Sequence, residues 1–175
     1  MRMANGSNVT PYRFIPLGYH HLSLLRRWFD EPHVRKWYSD PSGLQDIADH
    51  IEEGDVHPYL VMFGHMPIAY LQSYEVGKSH PYVASARGAT GIDQFIGPAG
   101  YLGRGHGSAF IRAYLRICEA EGVPQVIVDP KPNNHRAISA YRKAGFEDLC
   151  YDRSPEEGAV LLLSARLPKT RERRL

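Results

Sequence analysis

The sequence predicts an α/β domain built on a mixed sheet. Three observations carry that expectation. A glycine-rich turn, "GYLGRGHG", runs into an apolar-periodic segment that ends near Gly122, and the Val-Ile-Val of "PQVIVDP" follows it. This reads as a strand–helix–strand unit whose second strand is buried and parallel. "HPYLVMFG" and "MPIAYLQSYEV" flank a turn around Gly64 and should pair as an antiparallel hairpin. "FEDLCYDR" and "AVLLLSARL" end the fold as two strands around a turn near Pro155 to Gly158.

The elements follow in order. "YRFIPL", from Tyr12 to Leu17, reads as a first strand. "HHLSLLRRWFD" sets Leu22, Leu25 and Phe29 at helical spacing. The pattern breaks at Glu31-Pro32, and "HVRKWYSD" reads as a second short helix or a loop. "PSGLQDIADHIEEG" is a helix that stops at Gly54. After the hairpin, "GKSHPYVASARG" is a loop long enough to suggest function. "ATGIDQFIG" is a short strand, and the helix after the glycine turn spans about Gly105 to Glu121. "PNNHRAISAYRKAG" is a further helix, with Asn133 or Asn134 as N-cap and Gly145 as C-cap.

Length and composition bound the function. The 175 residues point to one domain over 1–175, with "KTRERRL" leaving 169–175 as a frayed, solvated tail. The formal net charge is +2, with no basic footprint of a nucleic-acid binder. No stretch approaches the length of a membrane span and the N-terminus has no apolar leader, so a cytoplasmic protein is expected. Cys118 and Cys150 form no CxxC pair and read as buried small hydrophobes. The nine histidines show no HExxH or comparable spacing, so no metal is expected. The apolar final strand suits either a place inside the sheet or pairing across a homodimer, so a monomer and a homodimer both remain open.

Gly103, Gly105 and Gly107 alternate directly before a helix. A helix N-terminus carries unpaired N–H groups and partial positive charge, and glycines let an anion approach that backbone. Arg104 adds a full charge. The other reading is a tight turn that binds nothing. The stretch is no P-loop, because no Gly-Lys-Ser/Thr follows, and its glycine spacing does not match a dinucleotide fingerprint.

"GIDQFIG", "YLGRGHG", "DPKPNNHRAISAYRKAGF" and "AYLQSY" occur in an order and spacing that resemble the GNAT superfamily of acyl-CoA-dependent N-acyltransferases. Within it they look like the aminoglycoside 6'-N-acetyltransferases. The similarity is densest from about Met66 to Phe146 and thins in the first 55 residues and after Cys150. The resemblance implies a central mixed sheet that splays to admit acetyl-CoA, flanked by helices. It implies acetyl transfer to the 6'-amine of an aminoglycoside, and hence antibiotic resistance. Its pyrophosphate-cradling motif, Gln/Arg-x-x-Gly-x-Gly/Ala, falls on Leu102, Gly103, Arg104, Gly105, His106 and Gly107. Leu102 replaces the usual Gln or Arg, so Arg104 is the candidate replacement charge. By the same resemblance Phe95, Ile96, Ser108 and Asn134 also contact the coenzyme, Asn134 at its pantetheine arm.

Direct attack of the amine on the thioester needs a positioned substrate, a proton acceptor and a proton donor for the leaving thiolate. The resemblance assigns Asp93 to the ammonium and its proton, and Tyr141 to the thiolate. A phenol is protonated at neutral pH and able to donate. Residue by residue, a structural role also fits: Asp93 as a bulge cap or Arg partner, Tyr141 as a core aromatic, Asn134 as an ordinary N-cap. Asp129 ends the strand after the helix, where ligands gather in open α/β sheets, or it shapes the turn before Pro130. If the two strands splay, Asp93 and Asp129 face one pocket suited to a polycation. Trp37 and Tyr38 offer aromatic faces to sugars and ammonium groups, or to the core. The resemblance implies that Gln72, in the strand "AYLQSY", bonds a sugar hydroxyl; on the sequence alone it is a polar residue on an alternating strand.

The segment before "GIDQ" carries Lys78, His80 and Arg87 and no carboxylate, which weakens its attraction for a polycation. Glu75, Asp40 and Asp46 are candidates to compensate. Two rival readings stand beside the first. One is N-acylation of hydroxylysine or another small amine, although those relatives show "GIH" where this chain has "GID". The other is a non-catalytic acyl-CoA sensor, against which the retention of Asp93 and Tyr141 argues.

Overall fold

The computed structural model describes residues 10–38, 43–78, 82–154 and 158–168. The expected tail, Asp40, His80, part of the 77–88 segment and the tip of the last turn lie outside the described residues. The strands are β1 (Tyr12–Pro16), β2 (Val56–Phe63), β3 (Met66–Glu75), β4 (Thr90–Ile96), β5 (Gln125–Val128), β6 (Glu147–Ser154) and β7 (Gly158–Arg166). The helices are α1 (Leu22–Phe29), α2 (Pro32–Arg35), α3 (Gly43–Glu53), α4 (Val83–Ala86), α5 (His106–Ala120) and α6 (His135–Ala144), with 3-10 turns at Tyr19–His21 and Ala99–Tyr101.

One seven-stranded sheet runs in the order β1-β2-β3-β4-β5-β7-β6. Among the described residues β4 and β5 pair in parallel, and the other neighbours are antiparallel. The mixed sheet expected from the sequence is therefore the one observed. The final strand β7 lies between β5 and β6, inside this chain's own sheet. Two local readings change. The segment expected to be all loop contains the one-turn helix α4. Cys150, expected to be buried, is half-buried, while Cys118 is buried.

Local chemistry explains the element ends. Pro32 starts α2 at a position where its missing N–H costs nothing, which separates α2 from α1. Asn134 caps α6 by accepting the Ala137 N–H at 3.2 Å, and Gly145 closes it at φ +108°.

Strand alternation divides the interior. Ile92 of β4 packs with Phe110 and Ile111 of α5 and Ile138 and Tyr141 of α6. Phe95 of β4 and Tyr70 of β3 pack instead with Leu25 and Trp28 of α1, Val34 of α2 and Ile47 of α3. A third cluster sets Tyr82 and Ala86 over Ile127, Val160 and Leu162. Side chains at positions 93 and 95 thus share one face of β4, and those at 92 and 94 the other. The end of β4 is tightly packed: a Cβ on Gly97 would overlap the Trp28 indole ring.

Candidate active site

β4 meets β5 only through Thr90↔Val126 and Gly91↔Ile127. Beyond Gly91 the two strands part, while β3 stays paired with β4 as far as Ile96. β5 ends at Val128, and Asp129-Pro130 follows; a proline has no N–H with which to continue a ladder. The gap is therefore lined by the free edge of β4, the end of β5 and the first turns of α5 and α6.

Asp93 sits on β4 opposite Gln72 of β3. Gln72 Nε2 donates to Asp93 Oδ2 at 2.9 Å, and the Tyr70 hydroxyl donates to Gln72 Oε1 at 2.6 Å. The chain Tyr70–Gln72–Asp93 orients the carboxylate. Asp129 accepts from the Tyr82 hydroxyl at 2.7 Å, so the segment before β4 steadies the carboxylate that follows β5. On the opposite face of β4, Gln94 Nε2 donates to the Tyr141 hydroxyl oxygen at 3.4 Å. That bond does not use the phenol's own hydrogen.

These groups share one electrostatic environment. Burial pushes the Tyr141 phenol above the ordinary tyrosine range; the Gln94 bond offsets part of this, and the charges of Asp93 and Asp129 add to it. Tyr38 and Tyr74 are raised by burial first, and then by the same two carboxylates. Asp93 and Asp129 thus both act electrostatically on Tyr141, Asp93 from the other face of β4. Neutral phenols and two carboxylates around a gap can hold a cation, accept a proton and donate one elsewhere.

Trp37, Tyr38, Phe95, Ile96, Leu102, Gly107 and Asn134, all singled out in the sequence, line a cleft along the unpaired end of β4; Asp93, Asp129 and Tyr141 are not among its lining residues. Tyr38 packs edge-on against Phe95 with ring centroids 5.0 Å apart. Gly103 and Gly105 adopt φ of +70° and +83°, a region favourable to glycine. Gly105 is the N-cap of α5, and the first intrahelical bond runs from Ala109 N–H to the Gly105 carbonyl. The N–H groups of His106, Gly107 and Ser108 therefore have no partner within the helix and suit an anion.

The side chains of this turn are otherwise engaged. His106 Nδ1 lies 2.9 Å from the Tyr12 hydroxyl, and its ring packs edge-on against Phe63 and Tyr101. Ser108 Oγ donates to the Gly105 carbonyl at 3.2 Å. Arg104 is exposed and donates to the Gly100 carbonyl at 3.2 Å.

Sequence reasoning missed several residues of the cleft. His33, Gln94, Arg136 and Ala140 line it. Gln94 lies inside the quoted "GIDQFIG", yet strand alternation there could not say which neighbour its amide would meet. Arg136 sits two residues after the Asn134 cap, a spacing that could have marked it. His33 carried no signal at all. Among the described residues no group of three or more His, Cys, Asp or Glu could hold a metal ion, and no helix is long and apolar enough to cross a membrane.

Known proteins resemble this one in sequence and in fold. The family model described as an acetyltransferase (GNAT) domain matches residues 19–150. The "Aminoglycoside N(6')-acetyltransferase type 1" of Serratia marcescens is 32% identical over 167 residues, which cover 89% of this chain and 83% of that protein. The protein of the same name from Klebsiella pneumoniae is 31% identical, over 84% of this chain and 79% of its own length. The crystal structure of aminoglycoside acetyltransferase AAC(6')-Ib in complex with coenzyme A and kanamycin superposes with a TM-score of 0.78 at 29% identity, over 89% of this chain and 94% of that one.

Proposed function

The chain belongs to the GNAT acetyltransferases and, among them, to the aminoglycoside N(6')-acetyltransferases, and from that premise we propose that Asp93, Asp129 and Tyr141 carry acetyl transfer from acetyl-CoA to the 6'-amine of an aminoglycoside. The observation that carries this reading is that Asp93 and Asp129 both act electrostatically on the buried Tyr141 phenol, whose hydroxyl is met by Gln94, a residue of the cleft that reaches Gly107 and Asn134. Acetyl-CoA is the co-substrate, and modification of the drug confers resistance.

The residues present fit that co-substrate. The unpaired N–H groups at the start of α5 suit a pyrophosphate, and positive φ at Gly103 and Gly105 brings the backbone to it without side chains in the way. Phe95, Ile96, Leu102 and Asn134 would flank the pantetheine arm.

The chemistry then assigns tasks. Asp93 holds the substrate ammonium and takes its proton, directly or through water. Asp129, fixed by Tyr82, adds a second negative charge for a polycationic drug. The amine nitrogen forms a bond to the thioester carbonyl carbon, and the carbon–sulfur bond breaks. Tyr141, kept protonated by burial, supplies the proton that the leaving sulfur takes. The products are the amide and free coenzyme A, with one proton released overall to solvent. Trp37 and Gln72 would contact the sugar. All these residues come from one copy, so the reading holds for a monomer or a homodimer. A single domain in the cytoplasm, where acetyl-CoA is made and used, completes it.

The test is thiol release from acetyl-CoA with aminoglycosides that do or do not carry a 6'-amine. Release with the 6'-amino drugs alone is expected. Acetyl-CoA binding without release for any of them would overturn the drug assignment, and hydroxylysine and other small amines would be assayed next.

A further inference from the structure

The glycine turn is held only weakly by most of its own side chains. Gly103 and Gly105 stand at positive φ, and a Cβ on either would meet nothing within 4 Å. Arg104 is exposed and bonds the Gly100 carbonyl, and Ser108 bonds the Gly105 carbonyl, so both bonds stay local to the turn. Glycine loses more conformational freedom than any other residue when its backbone is fixed. A loose turn must be ordered when an anion binds, and that ordering subtracts from affinity.

His106 supplies an anchor. It opens α5 directly after the Gly105 cap. Its imidazole sits among three aromatic rings, Tyr12 of β1, Phe63 of β2 and Tyr101, with centroids 6.1, 4.8 and 5.1 Å away. Nδ1 lies 2.9 Å from the Tyr12 hydroxyl, across 94 positions of sequence. Tyr12 is itself buried on the outermost strand of the sheet, paired in register with Phe63. Its ring also packs edge-on against Phe110, one turn further along α5. Burial raises the Tyr12 phenol, against the charge of Arg112, and lowers the His106 imidazole, with Arg104 adding to the effect. Both groups are therefore uncharged at neutral pH, and one donates to the other.

We propose that Tyr12 and His106 are positioning residues whose hydrogen bond ties the glycine turn to β1 and holds its N–H groups in place for the pyrophosphate of acetyl-CoA. The proposal rests on the acetyl-CoA reading above. The backbone of the turn would meet the anion, while the His106 side chain, turned toward the sheet, keeps that backbone still. The ordering cost is then met when the chain folds, not when the coenzyme arrives. Tyr12 touches neither reacting group, so its effect belongs to the pyrophosphate end of the coenzyme and not to the amine.

The test compares Tyr12→Phe, His106→Leu and the double variant with the unchanged protein, using acetyl-CoA and acetyl-pantetheine, which has the thioester arm without the pyrophosphate. Phenylalanine keeps the ring against Phe63 and Phe110 and removes only the hydroxyl. Tyr12→Phe is expected to weaken calorimetric acetyl-CoA binding about fivefold, leaving kcat and the KM for the amine within about twofold. Its use of acetyl-pantetheine, followed by turnover or as a competitor of acetyl-CoA, should match the unchanged protein. The double variant should bind acetyl-CoA no more weakly than His106→Leu alone, because both substitutions remove one bond. Tyr12→Phe binding acetyl-CoA as tightly as the unchanged protein would overturn the proposal. So would an equal loss with acetyl-pantetheine, which would mean a general disturbance, or losses that add in the double variant. Should His106→Leu not fold, Tyr12→Phe with the two thioesters still decides. The NMR order parameters of the Gly103 and Gly105 N–H groups should fall in unliganded Tyr12→Phe, and unmoved values overturn the anchor without reference to any reaction. Unchanged protein that binds no acetyl-CoA would instead sink the proposed function and the pyrophosphate role with it, while those order parameters still report whether Tyr12 holds the turn.

Discussion

Gln72 donates to Asp93 from directly across the β3–β4 ladder, at 2.9 Å. The carboxylate is thereby aimed by a strand neighbour that is itself held by Tyr70. Asp93→Asn keeps an oxygen able to accept from Gln72 and loses the negative charge. It should lower kcat by about a hundredfold or more, with acetyl-CoA binding nearly intact. Turnover within a few-fold of the unchanged protein would remove Asp93 from the chemistry.

Tyr141 supplies a pH test. Burial raises its phenol above the ordinary value of about 10, so the phenol stays protonated as pH rises through that value. Its donor role is lost only at higher pH. The kcat profile should hold through about pH 10 without a descending limb from this group, and Tyr141→Phe should lower kcat throughout. An alkaline limb at the ordinary tyrosine value that vanishes in Tyr141→Phe would contradict the assignment.

Gly107 separates stability from binding. It lies in the first turn of α5, and an added Cβ would meet Ala140 Cβ and Ile96 Cδ1 at 3.9 Å, an ordinary contact. Gly107→Ala should therefore be neutral or stabilising by up to about 1 kcal/mol. It also narrows the cleft, so the KM for acetyl-CoA should rise. Urea unfolding and kinetics on the same variant check both halves.

Gly97 behaves differently. Its added Cβ would overlap the buried Trp28 ring, which cannot move without disturbing Phe95. Gly97→Ala should destabilise the fold by about 1–3 kcal/mol, read from urea unfolding.

His106 ties stability to acid. Its pKa is lowered by burial and then by Arg104, so the folded state takes up a proton less readily than the unfolded chain. Below the unfolded value of about 6.5 the unfolded state binds more protons, and stability falls as pH drops. His21, lowered chiefly by burial, adds to the same slope. Replacing His106 by Gln should flatten the slope between neutral pH and pH ~5, measured by unfolding across that window.

Much of the fold was legible in the chain. Apolar period, Gly64, Pro32, Asn134 and Gly145 mark element ends through local backbone chemistry, and those ends are where the structure puts them. The quoted motifs put forward Asp93, Tyr141 and the glycine turn, whose roles are those proposed above. Residues whose role depends on a distant partner were not legible. His33 lies 63 positions from Ile96, and nothing in "EPHVRKW" announces a bond to a strand carbonyl.

The sequence by itself determined the order of elements and the type of chemistry. The order follows from short-range periodicity and capping, and the chemistry from the resemblance of the quoted motifs to a known family. Only the tertiary structure decided where β4 leaves β5, which groups take its bared carbonyls and which side chains of the glycine turn are already bonded. The physical reason is that hydrogen bonding must be satisfied across the whole fold. A backbone group freed by one strand finds its partner wherever packing brings a donor, and sequence separation does not record that place.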